Sequence, residues 1–412
     1  MKQQQPSLFD NITQAYLGRD EVSNQELYAI LASKGVDSSA LDKKSPVGKS
    51  GSQHSLLKRS IRWQQQTLKQ LNLLEKVANK RSIWKLTDGG KKKFSALHEI
   101  NDGHVVLAFS TTLGLALWAN CKTLFSAINE PIALSISSPP YPLNNPKAYG
   151  NVKESVYVDW ICEAIEPIVK NLVKGGSIVI NVGNDVFLKG LPARSNYRER
   201  MVIAFEDRLG LFKMDEIPWI NTSKAPGPIF WSSITRQQLN SAWEPVYWFT
   251  NDPKKCLSNN RRVLQTHSEK HLQWLKNRSL TETVSERVNS DGAHKVRRDS
   301  YANITDGKIP RNIFVRGHRC ADQNLYKSNC LKLGIQPHGA PFPLELAKFF
   351  IEFLTKVDDL VVDPFAGSFT VAKAAETLGR KWICTDIIWE YLRGSYTRFD
   401  NAILNNDFSF ID

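Results

Sequence analysis

The sequence predicts an open α/β fold, with a small helix-and-hairpin module ahead of it and a basic insertion within it. Three observations predict this. Strand-like and helix-like segments alternate over residues 101–250 and again over 336–400, as in a sheet covered by helices. Two short apolar runs, Ile132 to Ile136 and Leu360 to Val362, each stop at a loop of Ser, Pro or Gly. Between 251 and 335 the alternation is lost and the composition turns polar and basic. These shifts divide the 412 residues at 1–100, 101–250, 251–335 and 336–412, enough chain for several modules and a large core.

Within residues 1–100, Ser23-Asn24-Gln25-Glu26 is a capping box that opens a helix ending near Gly35. A polar stretch follows from Asp37 to Ser52. Leu57, Ile61, Leu68 and Leu71 then share one face of a long helix, with Lys58, Arg59, Arg62 and Lys69 off that face. Leu73 to Val77 and Ile83 to Thr87 read as two strands joined by Ala78-Asn79-Lys80-Arg81.

In the α/β part, Tyr157 to Val173 suits a helix stopped by Gly175-Gly176, and Ser177 to Val182 a strand. After the insertion, His338 to Pro343 reads as a loop, Leu344 to Leu354 as a helix and Asp359 to Asp363 as a strand. Ser368 to Leu378 is a second helix and Trp382 to Asp386 a further strand. The two apolar runs end in Ser138-Pro139-Pro140-Tyr141 and Asp363-Pro364-Phe365-Ala366-Gly367-Ser368. In open α/β sheets ligands bind at the carboxyl ends of strands, so these loops are the candidate site.

The net charge of +13 is unevenly placed. Residues 1–100 hold 17 Lys+Arg against 9 Asp+Glu, and 251–335 hold 17 against 8, which leaves the remainder at −4. Charge gathered in two flanking segments suits a polyanion such as nucleic acid. The six cysteines include no CxxC, and the spacing of Cys256, His267, His318, Cys320 and Cys330 fits no standard zinc finger, so no metal is expected. The first ten residues lack the apolar core of a secretory signal. The most apolar stretch, Val105 to Ala119, is interrupted by Ser110, Thr111, Thr112 and Gly114, so no membrane partner is expected.

From Phe109 to Phe399 the chain resembles the β-class DNA (cytosine-N4) methyltransferases of bacterial restriction–modification systems. The resemblance lies in motifs and their order. Ser110-Thr111-Thr112, the SPPY loop, Tyr157-Val158-Asp159-Trp160, Gly175-Gly176-Ser177 and Trp219-Ile220-Asn221 come first. Lys224-Ala225-Pro226, Arg236, Glu244, His338, Pro341-Phe342-Pro343, the DPFAGS loop and Arg380-Lys381-Trp382 follow. It implies a Rossmann-like fold with circularly permuted motifs: catalytic half, target-recognition region, then cofactor half. It also implies S-adenosylmethionine as cofactor, double-stranded DNA as substrate, a cognate restriction endonuclease as partner, and a cytoplasmic, nucleoid-associated location. The N-terminal module resembles winged-helix domains appended to restriction and modification enzymes, chiefly through Trp84-Lys85-Leu86-Thr87-Asp88-Gly89-Gly90. Gln5-Pro6-Ser7-Leu8-Phe9 resembles the peptide with which bacterial proteins dock on the replication sliding clamp.

Chemistry gives each motif a role. The exocyclic amine of cytosine is a poor nucleophile because its lone pair is conjugated into the ring. The Ser138 hydroxyl and the Pro139 carbonyl are acceptors for its hydrogens. Pro139 and Pro140 stiffen the loop and remove two competing N–H groups, and Tyr141 is placed to stack on an extruded base. By itself, the tetrapeptide is also satisfied by a rigid turn. An uncharged Ser favours cytosine, and adenine-N6 chemistry in the same fold is the alternative. The Pro-Cys pair of carbon-5 cytosine methyltransferases is absent.

On the cofactor side, Gly367 admits the methionine moiety and the N–H groups of the helix after Ser368 receive its carboxylate. Asp363 opens that loop, Asp386 accepts from the ribose hydroxyls, and Phe342 and Phe365 line the pocket. Phe369 stands where the family has Gly or Asn, Val371-Ala372 where it often has Thr-Gly, and Gly339 where Pro follows the His. Phe369 therefore either crowds the cofactor, which would suit an inactive DNA-binding protein, or packs beneath the helix. Lys224, Arg236, Lys58, Arg59 and Arg62 are the DNA-contact candidates. Arg261, Arg262, Arg297, Arg298, Arg311, Arg316 and Arg319 supply the base- and phosphate-contacting cations of the variable segment.

Overall fold

In the computed structural model the described residues are 21–33, 36–47, 52–70, 74–78, 80–87, 103–143, 152–277, 305–318 and 320–404. Positions 12, 15, 16, 19, 100, 287–288 and 295–296 are also described. The Gln5–Phe9 peptide and Arg297, Arg298 and Arg319 lie outside them.

The N-terminal part contains helices Asn24–Ser33, Ser38–Asp42 and Leu56–Gln70 and strands β1 (Val22–Ser23), β2 (Lys44–Val47), β3 (Ser52–Ser55), β4 (Leu74–Lys76) and β5 (Ile83–Leu86). β1, β5 and β4 form one antiparallel sheet and β2 pairs with β3. The capping box forms in both directions: Ser23 N–H donates to Glu26 Oε2 (2.8 Å) and Glu26 N–H donates to Ser23 Oγ (3.2 Å). Ile61 and Leu68 of the long helix are buried with Leu27, Leu31 and Trp84. The same face carries Gln65, which no apolar pattern reveals. Its buried amide donates to Tyr16 Oη (2.6 Å) and Asn24 Oδ1 (2.9 Å), so the polar group is satisfied.

The α/β fold expected of the sequence is present. Among the described residues the main sheet has ten strands. In chain order they begin with β6 (Val105–Ser110), β7 (Gly114–Ala119), β8 (Ile132–Ser137), β9 (Leu172–Asn181), β10 (Phe212–Ile220) and β11 (Trp243–Thr250). β12 (Arg287–Val288) and β13 (Lys295–Val296) pair with each other apart from it. β14 (Phe314–Val315), β15 (Leu360–Asp363), β16 (Lys381–Asp386) and β17 (Ile403–Leu404) complete it. The spatial order is β14-β10-β11-β9-β8-β15-β16-β7-β6-β17. The central strands β9, β8, β15, β16 and β7 are parallel. The two late strands β15 and β16 thus insert between the early strands β7 and β8.

Both faces of the sheet are covered, as a parallel sheet requires. Helices Leu344–Leu354, Thr370–Thr377 and Trp389–Tyr396 pack on one face with Leu134, Ile136, Val179 and Trp248. Helices Cys121–Ala127, Glu154–Lys170 and Tyr197–Leu209 pack on the other with Ile132, Ile178, Ile180 and Phe249. Successive residues of β9 point to opposite cores, Val179 to one and Ile178 and Ile180 to the other. In β8 the register shifts between Ile132 and Leu134, which puts these two in opposite cores, and the strand is buried at every position.

Several expected boundaries move. The helix expected from Tyr157 to Val173 runs Glu154–Lys170 and is closed by Asn171. Gly175 and Gly176 lie inside β9. Gly175 has φ +81°, and a Cβ there would stand 1.8 Å from the Lys255 carbonyl oxygen. This glycine answers a close backbone approach rather than a helix stop. The helix expected to begin at Ser368 begins at Thr370. The helix Ala321–Lys332, in the segment expected to read DNA, docks on the cofactor half. Gln323 Nε2 donates to Thr370 Oγ1 (3.1 Å), Arg398 pairs with Asp322, and Tyr326 Oη accepts from His338 N–H (3.1 Å). Arg262, one of the seven arginines of the variable segment, donates to the Thr355 carbonyl (2.8 Å) just past the helix Leu344–Leu354, where a cation meets the negative helix end.

Phe369 packs beneath the helix. It is the left-handed N-cap of Thr370–Thr377, with φ 56°, and its ring is fully buried 5.8 Å from that of Phe109. Phe369→Gly would relieve about 1–2 kcal/mol of left-handed strain but forfeit the roughly 3–5 kcal/mol of a large buried aromatic. The packing loss is larger, so the variant is expected to unfold at lower urea concentration, by roughly 2 kcal/mol. An equal or higher midpoint would show that backbone strain dominates.

Candidate active site

β8 and β15 are adjacent and parallel, with Leu134 opposite Val361 and Ser135 opposite Val362. Their carboxyl ends therefore leave the sheet side by side. The SPPY loop and the DPFAGS loop open into one cavity of about 230 Å³. Ser138, Pro139, Pro140 and Tyr141 line one side, and Phe342, Phe365, Ser368 and Asp386 the other. Phe369 is not among the lining residues.

On the SPPY side, Ser138 Oγ donates to Asn181 Oδ1 (3.4 Å), at the end of β9. The Asn181 amide is itself oriented, because its Nδ2 donates to the Pro245 carbonyl (3.2 Å). A serine proton turned toward Asn181 leaves the hydroxyl lone pairs for an incoming amine. Tyr141 lies against Gly183, where a Cβ would come within 2.5 Å of the ring. Neither Asn181 nor Gly183 was legible as a site residue, since Asn181, at the end of β9, and Gly183, just past it, reach the loop only through the pairing of β9 with β8. Trp160, known from the sequence only as part of a motif, lines the cavity with its ring 5.3 Å from that of Phe365.

On the DPFAGS side, the carboxylates divide the work. Asp363 is buried behind the loop and is not a lining residue. Burial pushes its pKa well up against the hydrogen bond it accepts from Phe365 N–H (3.0 Å). It braces the loop from within. Asp386, at the end of β16, faces the cavity and accepts from Gly367 N–H (2.8 Å) through Oδ2 and from Ile388 N–H (2.9 Å) through Oδ1. Burial raises its pKa to about 6, opposed by these backbone donors. Each oxygen keeps a lone pair for a further donor. Gly367 has φ +50° and runs under the His338 ring, 3.1 Å from where a Cβ would be. The glycine thus serves both the turn and the close approach.

The cation candidates separate. Lys224 is ion-paired to Asp185 (2.9 Å) and Glu244 (3.3 Å). Burial lowers the Lys224 pKa, but those two carboxylates carry it above its ordinary value. Two carboxylates meet its charge inside the protein, where it braces the base of the loop after β10. Arg236 in that loop is exposed, with φ 60°. In the N-terminal part, Lys58 pairs with Asp42 (2.9 Å), Arg62 Nε donates to Tyr28 Oη (3.1 Å) and Arg59 is exposed. Arg316 pairs with Glu345 (2.8 Å). Among the described residues no three His, Cys, Asp or Glu side chains gather as a metal site, and no helix is long and apolar enough to cross a membrane.

Comparison with known proteins agrees with this geometry. A family model for DNA methylases of the N6/N4 type matches residues 132–397. Over 300 residues the chain is 35% identical to type II methyltransferase M.PvuII of Proteus hauseri, spanning 72% of this chain and 87% of that one. It is 25% identical over 280 residues to the DNA adenine methyltransferase YhdJ of Escherichia coli, spanning 66% and 78%. Among solved structures, the PvuII DNA methyltransferase (cytosine-N4-specific) superposes with a TM-score of 0.56 at 30% identity, covering 76% of this chain and 93% of that one. With more than half of its length inside the family model, this chain belongs to the N6/N4 DNA methylases and is a DNA methyltransferase.

Proposed function

We propose that the enzyme transfers the methyl group of S-adenosylmethionine to the exocyclic N4 amine of cytosine, at a specific sequence of duplex DNA, after the base has left the helix. The observation that carries this reading is the meeting of Ser138 and Asp386 across one cavity, from the two strands that flank β15. The cavity residues fit the cofactor. Asp386 has lone pairs for two ribose hydroxyls and Phe342 and Phe365 offer apolar walls, while Gly367, which is not itself a lining residue, makes the turn between the lining residues Ala366 and Ser368. When bound, the cofactor supplies an electrophilic methyl group. Ser138 Oγ and the Pro139 carbonyl accept the two amine hydrogens and draw them out of the ring plane, which frees the nitrogen lone pair. Tyr141, seated on Gly183, provides the stacking face, and no covalent bond to the protein is needed.

The cytosine reading is supported by Ser at position 138 and by likeness to a cytosine-N4-specific enzyme. Likeness to an adenine methyltransferase keeps adenine-N6 as the second reading. The inactive alternative loses its motive, because Phe369 packs away from the cavity. Single-molecule sequencing of DNA from cells making this chain tests the proposal. N4-methylcytosine in one recurring context is the expected result. N6-methyladenine would move the reading to adenine, and unmodified DNA would overturn both.

We further infer that residues 1–100 are a winged-helix module that adds phosphate contacts, supported by the helix-then-hairpin order and the exposed Arg59. A chain lacking residues 1–95 is expected to bind DNA more weakly. Its plot of log affinity against log salt should be shallower, by about 0.9 for each phosphate that the module neutralises. An unchanged slope would mean that the module meets something other than DNA. Residues 251–335 would carry target recognition, with residues 321–332 as their support on the core. The role calls for a location with the chromosome in the cytoplasm and for a cognate endonuclease cutting the same sequence. The Gln5–Phe9 peptide is the proposed sliding-clamp contact.

A further inference from the structure

The loop after β10 has an unusual surface. Ile229, Phe230, Ile234 and Leu239 are 65%, 53%, 65% and 87% exposed, large apolar side chains crowded onto one short segment. Residues 222–243 contain no Asp or Glu and include Lys224 and Arg236. Isolated exposed apolar residues are ordinary, but a cluster on one loop marks a contact surface.

The loop is internally built. Ser241 N–H donates to the Gly227 carbonyl (2.7 Å) and closes it, Thr235 N–H donates to the Phe230 carbonyl (2.9 Å), and Gln237 N–H donates to the Trp231 carbonyl (2.8 Å). Its base is clamped, with Ser241 and Lys224 both on Asp185, and Gln238 Nε2 on the Pro192 carbonyl (2.7 Å). The exposed side chains thus project from a braced loop.

Its position is fixed by sheet register. β11 runs antiparallel to β9, with Val246 opposite Asn181, and β10 antiparallel to β11, with Ile220 opposite Trp243. The loop therefore leaves the same sheet edge as Ser138. Asp185 at its base lies two residues beyond Gly183, the seat of Tyr141.

We propose that this loop is a wedge. Phe230, with Ile229 beside it, enters the duplex next to the target and occupies the space that the extruded base leaves. The proposal rests on the methyl-transfer reading above. The occupant is duplex DNA because the loop leaves the same end of the sheet as the SPPY loop, whose cavity can act only on a base removed from its stack. Apolar side chains that enter between base steps offset the stacking forgone there. The absence of carboxylates and the exposed Arg236 suit a polyanion on either side of the wedge.

The test uses the full chain and two duplexes carrying the recognition sequence that sequencing returns. One is fully paired. The other has an abasic site opposite the target, so the target has no pairing to lose. Phe230→Ala is expected to methylate the paired duplex roughly tenfold more slowly than the unmodified chain, a stacking-sized effect. On the abasic duplex it should return to within about twofold. Because the ring is exposed, S-adenosylmethionine binding should be unchanged, which separates this loss from misfolding. Equal loss on both duplexes, or no loss on either, overturns the wedge. So does a change of oligomeric state with Phe230→Ala, which would make the loop a contact between copies of this chain. An unmodified chain that methylates neither duplex overturns the methyl-transfer reading, and the wedge with it.

Discussion

Ser138→Ala is expected to lower kcat on the order of a hundredfold, the scale for removing one preorganised polar group that acts on a reacting centre. The substitution removes an acceptor that acts only while the amine is becoming nucleophilic. kcat and kcat/KM should therefore fall together. DNA affinity should hold within about twofold, because Ser138 sits at the end of β8, inside the cavity, and meets no phosphate in this scheme. Binding of S-adenosylmethionine should also hold, since that subsite is built from the other loop. Unchanged turnover in Ser138→Ala would remove Ser138 from the chemistry and leave the SPPY loop as a rigid turn. A loss confined to DNA affinity would make Ser138 a DNA-binding residue instead of a catalytic one.

Asp386→Asn is expected to weaken S-adenosylmethionine binding by roughly 10- to 100-fold, the scale of hydrogen bonds to a charged acceptor. The pH dependence gives a second handle with a definite sign. The carboxyl pKa is raised to about 6 by burial. It must be ionised to accept from two hydroxyls. Cofactor affinity in the unmodified chain should be full above that value and decline below it, by at most about tenfold per pH unit for one proton. In Asp386→Asn that decline should vanish. Folding stability of the unliganded protein runs the other way. A carboxyl pKa raised above its unfolded value, about 3.9, gives stability that is complete below the unfolded value. That stability is lost as pH rises through about 6. Calorimetric titration between pH 5 and 8 (roughly one unit below to two above the shifted value) resolves the binding arm. An affinity that does not change with pH, or an equal decline in the Asn variant, would detach Asp386 from the ribose.

Legibility differed by the kind of interaction. Local signals were readable because they act within a few residues. The capping box at Ser23 and Glu26 needs only a three-residue spacing, and the buried run of β8 needs only six side chains facing two cores. Motif loops were readable for the same reason: their prolines and glycine constrain their own backbone. Misjudged features depended on distant chain. Gly175 looked like a helix stop, yet it answers the Lys255 carbonyl eighty positions away. Arg262 and Lys224 looked like free cations, yet one closes a helix end and the other is held between two carboxylates. A sequence shows a charge without showing what neutralises it.

What the sequence by itself determined was the α/β class, the two loops and the residue types that an amine and a methyl donor require. These follow from local constraint and from the period of the apolar pattern. What only the tertiary structure decided was that β15 and β16 insert between β7 and β8. That arrangement puts loops more than two hundred residues apart in the chain at neighbouring strand ends. It also decided that Phe369 turns into the core, that Asn181 orients the Ser138 proton, and that the apolar loop leaves the same end of the sheet as Ser138. Strand order is set by which faces can be buried together across the whole sheet. That is a sum over non-local contacts, which no window of sequence contains.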